Sequence, residues 1–312
     1  MRDYNEFLNF VKEDIAEYLP EKYRGGEFKA EIVSVPKAND TILDGLTIHE
    51  GETGSSPIIY LEGFYDALCN GATEEEVMRD IATMYIGAKD RAALFDMSEL
   101  RSWEKMKSKI GYQLLNKEMN VARLDGKVCS PVTNLIKAYI VILAMEDGDI
   151  AHSLIPMDIF KEWGVSLDEL NAVADENMER LFPATLMSMA GTVLSFKIGI
   201  PAPNLLHENA EISKEVMYIL TTENSKFASA LTYPGLLQKI RMLLCDDFYI
   251  IPSSTEEVLI IPKETAPSTE ELRTMLLSVN STMEKQLILS DVIYEYSLDN
   301  GELQIVGTGE FA

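Results

Sequence analysis

The second half of the chain constrains the fold most, because pairs of short β-rich runs alternate there with capped helices. Each pair predicts a β-hairpin, and the Ser-x-x-Glu spacing that follows the first and third pairs predicts a helix N-terminus. Successive units of this kind indicate an α+β protein with an antiparallel sheet and helices packed on one face. The predicted hairpins cover residues 135–157, 216–232, 246–262 and 291–307, and the helices after the first three cover residues 166–182, 236–244 and 268–282.

The first hundred residues predict a more helical portion. Apolar side chains from Tyr4 to Tyr18 fall on one helical face, with Asp3 and Glu6 in capping-box spacing. Two strands, a short third strand with a helix, and a second long helix capped by Thr73 and Glu76 are expected to follow. The predicted elements span residues 28–35, 41–50, 56–71 and 73–89, and a third long helix is predicted at 98–118.

The chain length favours two domains. The segment from Phe196 to Ser213 has two prolines, a glycine and weak periodicity, which is typical of a linker. We therefore predict an N-terminal domain over residues 1–205 and a C-terminal domain over residues 206–312.

The charge balance excludes several classes of partner. Aspartate and glutamate number 51 against 27 lysine and arginine residues, for a formal charge of −24. Such a surface repels nucleic acids and anionic membranes, whose phosphates are bound mainly by lysine and arginine. The N-terminus lacks the apolar core of a signal peptide, the sequence has no run of 18 apolar residues, and its three cysteines are unpaired in context. A cytoplasmic protein is the expectation.

The sequence carries no familiar catalytic or cofactor motif. Glycine-rich nucleotide cradles, the Gly-x-Ser-x-Gly nucleophile elbow and the spacings of transition-metal ligands are all missing. We therefore predict no cofactor. The acidic turn "MEDGDI" offers Glu146, Asp147 and Asp149 as oxygen ligands for calcium or magnesium. Acidic turns with a glycine are also common between strands, so a plain turn is the alternative.

Three further residues are candidates for catalysis. Cys129 in "KVCSPV" is expected to be exposed, and His152 lies in a predicted strand where it could meet a cysteine or serine. Ser253 belongs to the polar group Ser253–Glu256 between two apolar runs, which is either a loop with a nucleophile or a hairpin turn. Cys69 and Cys245 are expected to be core thiols.

Four blocks stand in order along the chain: "PIIYLEGFYDALCNGATEEEV", "WGVSLDELNAVADENMERLFPA", "YPGLLQKIRMLLCDDFYIIPSSTEEVLIIP" and "MLLSVNSTMEKQLILSDVIYEYS". Together they resemble an uncharacterised domain-of-unknown-function family of anaerobic gut Firmicutes. The resemblance covers nearly the whole chain and implies a bacterial origin, but it supplies no catalytic residues. Many relatives carry a histidine where this chain has Glu256, so either this loop is not catalytic or this member has lost the activity.

These observations favour a non-enzymatic interaction or regulatory module. Its partner would be a protein, bound through the acidic surface or through exposed hairpin edges. The alternative is a hydrolase-like enzyme or small-ligand-binding protein with a pocket between the two halves, using carboxylates or Cys129 with His152.

Overall fold

The fold is taken from a computed structural model, which describes residues 2–24, 28–50, 56–92, 97–146, 149–207, 215–223 and 227–306. The chain forms two compact units. Unit 1 comprises residues 1–37 and 41–100, and unit 2 comprises residues 38–40 and 101–312. The division that we predicted between residues 205 and 206 falls inside unit 2, where strands on its two sides pair in one sheet.

Unit 1 contains a three-stranded antiparallel sheet and three helices, as the sequence predicts. Asp3 and Glu6 form the predicted capping box, each side chain accepting the other's main-chain N–H at 2.9 Å. The fully buried side chains of Phe7 and Ile15 on the first helix join Tyr85 of the third helix in one apolar core. The elements are α1 (Tyr4–Tyr18), β1 (Phe28–Pro36), β2 (Ile42–Glu50), β3 (Ile58–Tyr60), α2 (Glu62–Cys69) and α3 (Glu74–Ala92).

Unit 2 holds two antiparallel sheets. In the first, the strand order is β4-β6-β5, with β7 also paired to β6; in the second it is β13-β12-β10-β11-β9-β8. The elements are α4 (Trp103–Met106), β4 (Ile110–Asn116), α5 (Val121–Leu124), β5 (Cys129–Val132), β6 (Leu135–Glu146), β7 (Asp149–Leu154), α6 (Met157–Trp163), α7 (Leu167–Leu181), β8 (Ala184–Ser188), α8 (Met189–Ile198), β9 (Tyr218–Thr222), α9 (Leu236–Leu244), β10 (Phe248–Ile251), β11 (Glu257–Pro262), α10 (Thr269–Asn280), β12 (Ile293–Tyr296) and β13 (Leu303–Val306).

The α+β class and most of the predicted hairpins are confirmed. β6 pairs with β7, β10 with β11, and β12 with β13, all antiparallel. Ser268 caps α10, and Leu272 and Leu276 of this helix pack on one face of the six-stranded sheet. The polar group after β10 is a turn, because the Ser254 hydroxyl accepts the main-chain N–H groups of Glu256 and Glu257.

The predicted helix at residues 98–118 is wrong. Within it only α4 is α-helical among the described residues; Met97–Arg101 and Lys107–Lys109 are short 3-10 helices, and Ile110–Asn116 forms β4. β4 is buried on both faces, so its apolar residues are consecutive and do not alternate. Gly111 marks a close approach: a Cβ atom there would lie 2.9 Å from Sδ of Met178 on α7.

The predicted hairpin at residues 216–232 is also wrong. β9 pairs with β8 and β11, whereas Ala228–Thr232 forms a short 3-10 helix. This helix is built from small residues that lie close to β4. Ser229 is fully buried and its hydroxyl donates to the main-chain carbonyl of Tyr112 at 3.2 Å.

Asn39, in the short connection of residues 38–40, is buried and makes several hydrogen bonds within unit 2. Its backbone is left-handed, with a φ of 56°, a conformation that asparagine tolerates better than most residues. Its side-chain amide donates to the carbonyls of Lys285 and Ile288. Asn39 also exchanges two hydrogen bonds with Asn120, one through its main-chain N–H and one through its side-chain oxygen, at 2.7 and 2.8 Å.

Substitution Asn39→Ala should lower the free energy of unfolding by about 3 kcal/mol, because it leaves buried carbonyls and the Asn120 amide unpaired. Asn39→Asp should be no better, since a carboxylate cannot donate to the two carbonyls. Chemical denaturation followed by circular dichroism measures both changes. Asn300→Ala, at an exposed asparagine of unit 2, is the control and should cost about 0.5 kcal/mol or less. Equal losses for Asn39→Ala and Asn300→Ala would contradict this role.

Candidate interaction surface

α8 is a well-formed helix with a defined beginning and end. The Ser188 hydroxyl accepts the main-chain N–H of Gly191 at 3.0 Å and caps the first turn. At the other end Gly199 adopts a left-handed backbone with a φ of 71°, and its N–H donates to the carbonyl of Ser195 at 2.8 Å. The conformation of this segment is therefore specified locally at both ends.

Most side chains of α8 are apolar, yet they are not buried. All ten residues of the helix are described, and none of them is buried. Phe196 is the extreme case, because 86% of its surface is exposed. Helices of soluble proteins usually bury an apolar stripe, so an apolar helix without one is a candidate interaction surface. We define the α8 surface as Val193, Leu194, Phe196, Ile198 and Ile200, each about half exposed or more.

The α8 surface lies in a part of the chain without acidic residues. From Leu181 to His207 the sequence contains no aspartate or glutamate, and Lys197 is its one lysine or arginine. Acidic residues are frequent on both sides of this segment, so the gap is a local departure from the composition of the chain. The segment that carries the α8 surface is therefore almost uncharged within a strongly anionic chain.

The sheet edge beside α8 is covered by the same segment. β8 is the end of the six-stranded order, and the Asn204 side chain bonds to both the N–H of Leu186 and the carbonyl of Ala184, at 3.0 Å each. The Leu205 N–H then donates to the Leu186 carbonyl at 2.7 Å. The edge of β8 is thus occupied, and pairing with a partner strand there, one of the modes that we predicted, would have to displace these bonds.

Cys129 and His152, the predicted catalytic pair, are kept apart in the described structure. Both lie beside β6, where Cys129 pairs with Ala138 and His152 with Ile142. These partners are four residues apart, roughly 13 Å along a strand. The His152 ring instead packs edge-on against Phe227.

Ser253 lies in the hairpin turn, where its hydroxyl donates to the carbonyl of Glu257 at 3.1 Å. It also faces the Glu257 carboxylate at 3.5 Å. Burial raises the pKa of Glu257, and the nearby charge of Glu256 acts in the same direction. The Ser253 hydroxyl is thus bonded within its own turn, as is common for serine in turns.

The predicted metal ligands fall on the turn between β6 and β7. Asp147 lies outside the described residues, and for Glu146 and Asp149 only the main-chain pairing is described. Among the residues that the structure describes, no three histidine, cysteine, aspartate or glutamate side chains are grouped to hold a metal ion. Nor does any described helix have the length and apolarity needed to cross a membrane.

A buried polar network lies between β6 and α7. Nζ of Lys137 donates to Asp175 at 2.7 Å and to Asn171 at 3.3 Å, and it lies 4.3 Å from the centre of the Tyr112 ring. The hydroxyl of Tyr139 donates to Asn171 at 2.8 Å, and burial raises the pKa of Tyr139 to about 12. The ammonium group therefore has two hydrogen-bond acceptors and an aromatic ring around it, and its charge balances that of Asp175.

Two cavities share Tyr233 and Gly235 in their linings, and the first also reaches Lys137 of this network. The first, about 450 Å³, is lined by Lys137, Thr232 and the Gly301–Leu303 turn; the second, about 400 Å³, is lined by Glu179, His207 and Lys239. Their volumes are in the range of small-ligand sites. Cys129, His152 and Ser253 line neither of these two cavities.

A family model matches residues 4–298, nearly the whole chain. It describes DUF5688, a family of unknown function. The chain belongs to this family. No curated protein and no solved structure matches it. Membership in DUF5688 confirms the resemblance at the level of the family and assigns no activity, so an interpretation of function depends on the geometry above.

The sequence analysis predicted neither the α8 surface nor the buried network around Lys137. We predicted that residues 196–213 form a linker, whereas residues 196–198 complete α8. The missing carboxylates between Leu181 and His207 were the available signal. For the buried network, the signal was Lys137, one lysine inside the apolar run "LIKAYIVIL".

The predicted environments of the cysteines are reversed. Cys69 and Cys245 are exposed, whereas Cys129 is partly buried. The two exposed thiols lie at or just after the C-terminal ends of α2 and α9, where the chain leaves the core.

Iodoacetamide should therefore alkylate Cys69 and Cys245 before Cys129 in the native protein. Burial raises the pKa of Cys129, so a smaller fraction of this thiol is thiolate at pH 8. The alkylation rate of Cys129 should therefore increase as the pH rises further. Peptide mass spectrometry over a time course measures the three rates. Denatured protein is the control, because the delay of Cys129 should disappear there. Fastest modification of Cys129 in the folded protein would contradict the structure.

Substitution Lys137→Met should lower the free energy of unfolding by about 3 to 5 kcal/mol, because it leaves Asp175 buried without its cation. The double variant Lys137→Met/Asp175→Leu should recover most of this loss. Chemical denaturation measures both. Lys107→Met is the control: it removes an exposed pair with Glu104 and should cost about 0.5 kcal/mol. A double variant as unstable as Lys137→Met would show that the pair is not the source of the loss.

Proposed function

We propose that this chain is a cytoplasmic, non-enzymatic interaction or regulatory module, and that its α8 surface binds a protein partner. The observation that carries the proposal is the exposure of the large apolar side chains of α8 from Val193 to Ile198. Phe196 is exposed over 86% of its surface although both ends of α8 are capped and the segment has a defined conformation.

The size and chemistry of the surface support a protein partner. Five such side chains expose on the order of 500 Å² of apolar surface, comparable with the largest patches on soluble monomers, which are often functional. Aromatic and large apolar residues are enriched in the buried centres of protein interfaces. Burying Phe196 alone would contribute about 2 kcal/mol to binding.

The other classes of partner are supported less. Nucleic acids and anionic membranes need clustered cations, whereas this surface has only Lys197 within an acidic chain. The enzymatic alternative needs an activated nucleophile or a free acid–base pair. The candidates Cys129 and His152 lie apart, and Lys137 is held in an ion pair with Asp175.

A photoreactive phenylalanine analogue at Phe196 should capture one defined protein when cells of the native host are irradiated. The reason is that Phe196 would be buried in the complex and nothing in α8 covers it beforehand. Immunoprecipitation, gel electrophoresis and mass spectrometry identify the product. Adding Ile198→Glu and Ile200→Glu should abolish the capture, because both side chains belong to the same surface.

The matched control carries the same analogue at Leu298, which is 53% exposed and lies outside the α8 surface. It should not yield the product. Capture that is identical from both positions, or absent from Phe196, would count against the proposed function.

A further inference from the structure

We propose that the partner of the α8 surface is a second copy of this chain, so that two copies associate through their α8 helices. This inference rests on the proposed function and specifies its partner. It is argued from the distribution of charge and from the area that the surface offers.

Charge decides where two copies can meet. Each copy has a formal charge of −24, so most contacts between copies would bring carboxylates together. The segment from Leu181 to His207 contributes no carboxylate. Contact between two α8 surfaces therefore gains apolar burial while adding only Lys197 from each copy to the charge at the interface.

The same distribution argues against a basic partner and against a lipid surface. A basic protein would be attracted to the acidic surface elsewhere, since α8 has no carboxylate to pair with it. Helices that lie on membranes usually combine an apolar face with a polar face rich in lysine and arginine. α8 instead is apolar with a single lysine, Lys197. A second copy offers a surface that is equally apolar and equally uncharged.

We expect a two-fold contact in which each copy uses the same patch. Two-fold dimers are the commonest soluble oligomers, and their interfaces are self-complementary by symmetry. Two α8 surfaces would bury at most on the order of 1,000 Å², which is at the low end for a specific interface, because side chains such as Leu194 and Phe196 lie on different sides of the helix. We therefore expect a reversible dimer with a dissociation constant on the order of micromolar.

Sedimentation velocity on the purified full chain, in reducing buffer, tests the inference. The wild-type protein should shift from monomer to dimer as its concentration rises from about 1 to 500 µM, a range that spans the expected constant. Raising sodium chloride from 20 to 500 mM, which shortens the Debye length roughly fivefold, should increase the dimer fraction by screening the mutual repulsion.

Phe196→Glu and Ile200→Glu should each raise the dissociation constant at least tenfold, because each places a carboxylate in the centre of the contact. Both residues are exposed, so circular dichroism and thermal melting should match the wild type. Val121→Glu is the control, since Val121 is 66% exposed and lies outside the α8 surface. Its dissociation constant should equal that of the wild type.

A wild-type protein that stays monomeric at 500 µM in high salt, or that dimerises equally well with Phe196→Glu, would overturn the inference. The result is separable from the proposed function. Capture of a different protein from Phe196 in cells would leave the interaction proposal intact and refute only the second copy. If the wild-type protein does not dimerise and the analogue at Phe196 captures no defined protein, both proposals are wrong.

Discussion

The packing of α7 on β4 and β6 is the contact on which the rest of unit 2 depends. Gly111 lets the helix approach so closely that a Cβ atom would meet Met178. Asn177 of the helix donates to the main-chain carbonyls of Lys107 and Ile110, which fixes the entry into β4. The hydroxyl of Tyr233 then donates to carbonyls at the C-terminal end of α7. The position of α7 therefore sets the start of β4, the turn before α9 and the walls of both cavities.

The ion pair between β6 and α7 follows from the same contact. Lys137 and Asp175 can be buried because the helix brings a carboxylate to the ammonium, and because Asn171 accepts a second N–H of Lys137 and donates to Asp175. A buried pair of this kind contributes little net stability compared with apolar residues, but it opposes every arrangement that separates its partners. It therefore favours one register of α7 on the sheet.

The sequence predicted the elements whose signals are local and missed those that depend on distant contacts. The cap of α1 by Asp3 is visible within four residues, so it was predicted correctly. β9 pairs with β8 although α8 and a long connection separate them in the sequence. No local sequence pattern predicts such a pairing. β4 has consecutive apolar residues because both of its faces are covered, and the pattern alone did not separate it from a helix.

The same distinction applies to the candidate site. An apolar segment has the same composition whether it is buried or exposed, so the sequence alone did not separate α8 from the core. Likewise, Cys69 and Cys245 lie at helix ends, where tertiary packing decides whether a side chain is buried or exposed. Lys137 could be recognised as unusual in an apolar strand, but its partner Asp175 lies 38 residues further along the chain.

The side chain of Asn204 has a consequence for assembly. Its amide presents a donor and an acceptor to β8 in the way that another strand would, and so it ends the sheet with one side chain. Unlimited stacking of copies through main-chain hydrogen bonds requires sheets that can be extended in both directions. With growth stopped on the β8 side, the six-stranded sheet cannot be extended at both of its edges. Association of copies through side chains, as we propose for α8, then adds no strand at this edge.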